Sequence, residues 1–363
     1  MQLTSIPILV ISSSLCLGAP LPQTPPPSLS FITLEEHYVP PSLVPLQAQD
    51  SSSQVGGAGG NATVPGSTTQ LIQTLDQARV DDLTTNGIAV QVISPNPVRL
   101  GLSQPATVRQ ANDETATAIS QFPDRFRAFA FLPMADPLAA AAELERSVTQ
   151  LEFVGALVDS HLPNQTYYDD AAWDPFWATA QRLDVPIYLH PTYADIEDIT
   201  GLNGRFSPED QDFSTAAAAA LAGGGFGWHV DTGLQFLRLW IGGVFDRFPD
   251  LKIVIGHMGE TIPFMLQRTN RSAGGAKPEG VTVVEAYAKN LWITTSGFFD
   301  LEPFSTVLSL TSNDHILYSV DYPFSTNAQG AVFMQSLRNS GCVTEEEWDN
   351  IAYNNAASLL KIN

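Results

Sequence analysis

Eight short apolar runs punctuate the chain from Phe31 onward, and stretches with helically spaced apolar positions fall between them. The runs are Phe31–Leu34, Ile88–Ser94, Phe126–Leu132, Gly155–Asp159, Pro186–His190, Lys252–His257, Leu291–Thr295 and Ile316–Asp321. The helical stretches include Gln70–Thr85, Ala106–Gln121, Pro137–Gln150, Ala172–Leu183 and Asp231–Phe248. Strands alternating with helices build a parallel sheet. Runs that are apolar at successive positions, rather than every second one, are buried on both faces. Eight such units predict an α/β fold, a (β/α)8 TIM barrel. An open doubly wound sheet is the alternative, but the glycine-rich phosphate loop it would need after the first strand is missing.

Two segments interrupt the repeat. Residues 49–67 are rich in Gly and Ser and read as a loop after the first strand. Residues 191–228 follow the fifth strand and contain an alanine run ahead of Gly223–Gly225. An insertion there lies over the barrel mouth, where lids occur, and the alanine run should form a short helix. Thr344–Leu360 should add C-terminal helices.

The N-terminus has an apolar stretch, Ile6–Gly18, too short to span a bilayer, followed by small residues and a proline-rich segment. Residues 1–19 therefore read as a secretory signal peptide, 20–30 as a spacer and 31–363 as the barrel. Sequons at Asn61, Asn164 and Asn270 are compatible with secretion. Two cysteines, Cys16 and Cys342, exclude a disulfide-framework fold. A formal charge of −21 disfavours both nucleic acid and anionic membrane as partners.

Chemistry gathers where the apolar runs stop. Glu35 and His37 stand one residue apart in FITLEEHY, so on a strand they share a face; inside a barrel, a charged glutamate there needs a cation. Glu36 points the other way and should face a helix or solvent. His190 ends VPIYLHP and Asp321 ends ILYSVDYP, each with a proline that turns the chain away. Glu35, His37, His190 and Asp321 are thus candidate ligands for one divalent metal, and Asp321 can also move a proton. His257 in GHMGE has Glu260 three residues on, within reach to fix its tautomer. That pair reads as an acid/base or polarising group, with His257 as a further ligand the alternative. Arg268 and His161 are candidate substrate contacts; His229 and His315 read as structural.

LEEHY, LHP, GGVFDRFPDLKIVIGHMGE, LWITTSG and YSVDYPF together resemble the metal-dependent aromatic acid decarboxylases of the amidohydrolase superfamily, a group that includes γ-resorcylate, aminocarboxymuconate-semialdehyde and 6-methylsalicylate decarboxylases. The resemblance runs over about residues 31–360. It implies that Glu35, His37, His190 and Asp321 hold the metal, that His257 and Glu260 form a catalytic pair, and that Arg268 shapes the site. It further implies decarboxylation of an ortho-hydroxybenzoate, a dimer or tetramer, and a divalent ion: zinc first, manganese or magnesium next. A lactone or amide hydrolase on the same barrel is the alternative. A catalytically silent binding protein would not need the ligand set.

Overall fold

A computed structural model describes residues 30–50, 54–55, 68–195, 214–277 and 279–362. Its eight-stranded sheet comprises β1 (Phe31–Tyr38), β2 (Ile88–Pro95), β3 (Phe126–Ala130), β4 (Gly155–Asp159), β5 (Ile187–His190), β6 (Ile253–Ile255), β7 (Leu291–Thr294) and β8 (Ile316–Leu317). All sequential neighbours pair in parallel, and a parallel bridge between Leu34 and Ser319 brings β1 back to the segment after β8. The predicted TIM barrel is what the chain forms. The expected leader, all of the spacer but residue 30, most of the first interrupting segment and residues 196–213 of the second lie outside the described residues.

Two apolar layers hold the barrel. Ile32, Leu34, Val90, Val92, Phe129, Leu157, Val254 and Leu317 fill its lower interior, and Ala356, Leu359 and Leu360 of the C-terminal helix, with Ile362 just beyond it, close that end. Alternate strand residues such as Phe31, Ile93, Ala128, Val158, Leu189 and Ile255 face outward and pack under the helices. This two-sided burial is why the strands read as apolar runs.

Element boundaries differ where local chemistry intervenes. The expected helix 70–85 is two pieces, Thr68–Leu71 and Gln77–Thr85; Asp76 caps the second by accepting from the Arg79 N–H. The helix expected over 231–248 starts earlier, at Gly227, and breaks after Ile241, where Gly243 has φ 73°. The alanine run does form a helix, Thr215–Ala222, capped by Ser214. Ahead of it, Ala194–Asp195 pairs antiparallel with Gln54–Val55, joining the insertion to the loop after β1. Among the described residues, no helix is long and apolar enough to cross a membrane.

Candidate active site

The C-terminal end of the barrel opens with a bulge. Glu35 takes φ 62° where the β1–β2 register shifts between Thr33 and Glu36. A left-handed non-glycine residue costs roughly 1–2 kcal/mol. The bulge resets the alternation, so that Glu35 and His37 continue on the interior side below which Ile32 and Leu34 lie. Oε2 of Glu35 accepts hydroxyl hydrogens from Tyr188 and Ser296. Gly256 makes room for this group, since a Cβ there would sit 2.6 Å from Oε2 and 2.9 Å from the Tyr188 hydroxyl. Oε1 of Glu35 is buried with no hydrogen-bond partner.

Around that oxygen the imidazoles present bare nitrogens. His37 Nδ1 donates to the Pro95 carbonyl at 3.2 Å and His190 Nδ1 to the Pro191 carbonyl at 2.8 Å, which leaves each Nε2 with a lone pair. His190 Nε2 lies 3.3 Å from Glu35 Oε1, and His37 Nε2 lies 3.1 Å from Asp321 Oδ1. In both contacts an acceptor faces an acceptor, an arrangement that needs a proton or a cation between the lone pairs. Ligands about 2.0–2.1 Å from a tetrahedral ion stand about 3.3 Å apart, close to both distances. Ligand atoms of Glu35, His37 and His190 all lie within 4.8 Å of one another. The residues fit a divalent metal.

The electrostatics agree. Burial pushes Glu35 up to about 6, toward the neutral acid, a tendency that a bound cation reverses. Burial also drives His190 well below the usual imidazole range and keeps it neutral, the form that ligates. Asp321 is pushed up by burial, but the facing imidazoles of His257 and His37 outweigh this and hold it at about 2.

A second cluster adjoins the first. His257 Nδ1 donates to Glu260 Oε1 at 2.7 Å, and His257 Nε2 faces Asp321 Oδ2 at 3.8 Å. Burial opposes charge on His257, yet the carboxylates of Glu260 and Glu35 raise it well above its ordinary range. Burial likewise opposes charge on Glu260, and the His257 and His229 imidazoles overcome it. His257, Met258, Glu260 and Thr261 all have positive φ, strain that a functional turn can hold. Above both clusters lies a cavity of about 500 Å³, lined by His190, His257, His229 and Asp321 and by the aromatic rings of Tyr193, Trp228, Phe298 and Phe324.

The structure therefore brings together Glu35, His37, His190, Asp321, His257 and Glu260. It does not bring Arg268 or His161 to the cavity. Helix Ile262–Ala273 buries Ile262, Pro263 and Leu266, and this phase leaves Arg268 exposed on the outer face. His161 turns away after β4, donating Nδ1 to the Leu162 carbonyl and packing on Tyr167. Glu36 is not solvated. It is fully buried, and its carboxylate accepts the backbone N–H groups of Val320 and Tyr322 at 2.9 and 3.0 Å, fastening β1 to the segment that carries Asp321. His315 is structural, stacked on Trp292. His229, expected to be structural, is in the site: its Nδ1 donates to Glu260 Oε2 at 2.6 Å. Its own helix carries no signal of this, since the partner lies 31 residues on.

Comparison with known proteins fits this geometry. The family model described as amidohydrolase matches residues 97–362. The chain belongs to the amidohydrolase family. Within it, the chain is 41% identical over 344 residues to the decarboxylase orsB of Emericella nidulans, covering 93% of this chain and 98% of the relative. It is 32% identical to a γ-resorcylate decarboxylase of Polaromonas sp., covering 92% and 98%. Among solved structures, a dihydroxybenzoic acid decarboxylase from Polaromonas sp., with bound manganese and the inhibitor 2-nitroresorcinol, superposes with a TM-score of 0.76 at 31% identity, covering 92% of this chain and 97% of that one. A 2,6-dihydroxybenzoate decarboxylase complexed with 2,6-dihydroxybenzoate gives 0.75 at 29% identity, covering 92% and 99%.

Proposed function

We propose that this amidohydrolase-family chain is a metal-dependent carboxy-lyase that converts an ortho-hydroxybenzoate to the phenol and carbon dioxide. One observation carries the reading: bare imidazole nitrogens of His37 and His190 face carboxylate oxygens of Asp321 and Glu35 at 3.1 and 3.3 Å, on the floor of an aromatic-walled cavity. The named activities of the relatives support it. Glu35, His37, His190 and Asp321 would hold the ion, with manganese favoured because the Polaromonas enzyme contains it and zinc next. A bound divalent cation supplies Lewis-acid charge stabilisation and a template for the substrate's carboxylate and adjacent oxygen.

The protein's own groups handle the proton. Asp321, held as a carboxylate, accepts the phenolic proton at Oδ2, beside His257 Nε2, and delivers it to the ring carbon that bears the carboxylate. That carbon becomes tetrahedral, its bond to the carboxylate breaks, and the electron pair restores the aromatic ring as carbon dioxide leaves. The phenolate then takes up a proton from solvent. His257, oriented by Glu260, steadies charge on Asp321 and on the phenolic oxygen. Tyr193, Trp228, Phe298 and Phe324 orient the flat ring and exclude water.

The test is incubation of manganese-loaded protein with salicylate, 2,6-dihydroxybenzoate and methyl-substituted salicylates, following carbon dioxide and phenol, beside a panel of lactones and amides. Carbon dioxide and phenol in equal amounts are expected; turnover of lactones or amides alone would establish the hydrolase reading instead.

A further inference from the structure

His229 is not one of the four proposed ligands, yet its two ring nitrogens tie together parts of the site with different tasks. Nδ1 lies 2.6 Å from Glu260 Oε2, and the other oxygen of that carboxylate takes the His257 Nδ1 hydrogen at 2.7 Å. On the opposite side of the ring, the Trp228 indole N–H donates to His229 Nε2 at 3.2 Å. The Gly224 carbonyl also lies 3.0 Å from Nε2, so this nitrogen stands between an indole donor and a carbonyl acceptor, and it is in the Nδ1–H tautomer that it takes the indole hydrogen. Trp228 is a wall of the cavity and packs against Tyr193, with ring centroids 5.5 Å apart. The position of His229 is built in. One turn further along its helix, Gly233 lies against the Glu260 carbonyl, where a Cβ would approach to 2.5 Å.

We propose that His229 is a positioning residue with two separable roles. Through Nδ1 it satisfies the second oxygen of Glu260, and so holds the carboxylate that orients His257. Through Nε2 it fixes the Trp228 indole as the ring-binding wall. The first role acts on turnover and the second on substrate affinity; only the assignment to kcat and KM rests on the proposed decarboxylation.

The two roles can be cut apart, because an asparagine amide overlays the Nδ1 side of the ring and a glutamine amide the Nε2 side. His229→Asn should keep kcat within about threefold and raise KM about fivefold, the value of one lost hydrogen bond. His229→Gln should keep KM and lower kcat about 10- to 100-fold, as losses of ligand-orienting partners do. His229→Leu should show both defects. A second readout needs no metal and no turnover: the Trp228 indole N–H resonance of the metal-free protein should stay in place in the Gln variant and move in the Asn variant. Equal kinetic effects of Asn and Gln, or an indole resonance unmoved in both, would overturn the proposal. Should the wild-type protein decarboxylate nothing, the proposed function fails, while the indole resonance still decides the positioning claim.

Discussion

The two ends of the barrel interior are built on opposite rules. The lower end is apolar, side chain on side chain, closed by Leu359, Leu360 and Ile362, with Leu317 fully buried at its centre. The upper end packs buried Glu35, His37, His190, His257 and Glu260 around a half-buried Asp321, and Glu35, His257, Glu260 and Asp321 hold positive φ. One end supplies stability. The other consumes some of it, in strain and desolvation, to aim lone pairs at one point. The chain tolerates the upper end because the lower end and the outer layer hold the strands in register.

Mutations should separate the two ends. The largest effect belongs to Asp321→Asn, which removes both a candidate ligand and the proposed proton carrier. Turnover should fall by at least about 10³-fold, roughly 4 kcal/mol of barrier, with the melting temperature of the metal-free protein unchanged or raised. Steady-state kinetics and calorimetry check both halves; a fall in stability matching the fall in rate would erase the distinction between the ends. Next, Leu317→Ala should cost about 2–5 kcal/mol of stability, seen as a lower denaturation midpoint, while kcat of the folded fraction stays near wild type.

Smaller changes sharpen the picture. Tyr188 sits at the boundary, its ring in the lower cluster and its hydroxyl on Glu35. Tyr188→Phe should weaken metal binding about 10- to 100-fold with little loss of stability, as measured by competition with a chelator. The smallest effect lies outside both ends. Asp246 accepts from Lys277 Nζ at 2.6 Å and from the Val281 N–H at 2.7 Å; burial raises its carboxyl, but these bonds outweigh burial and lower it. A depressed folded value means that the stabilisation is present above the ordinary carboxylate range, near 3.9, and is lost as pH falls through the folded value. Asp246→Asn should therefore cost about 1 kcal/mol at pH 7, and the gap to wild type should close progressively below about pH 4. A gap that is constant with pH would assign the effect to packing.

Much of this architecture is legible in the residues. Apolar runs ending in His190 and Asp321 place both at the barrel mouth, because strands buried on two faces leave polar groups only where they stop. The bulge at Glu35 is not legible, since nothing in LEEHY announces a glutamate with positive φ. Glu36 misleads for the same reason: strict alternation assigns it to a helix-facing or solvated position, whereas three-dimensional closure gives it the Val320 and Tyr322 amides. Arg268 could have been placed correctly. The phase of Ile262, Pro263 and Leu266 already puts it on the outer face. His229 was hidden because its partner, Glu260, lies 31 residues away on another element.

The most direct measurement of the central claim is metal content set against carbon dioxide release. Protein stripped by a chelator and titrated with Mn²⁺ should regain ortho-hydroxybenzoate decarboxylation in proportion to metal, reaching a plateau at one ion per chain, and His190→Ala should bind none under the same conditions. Full activity in the stripped protein, or one tightly held ion in His190→Ala, would contradict it.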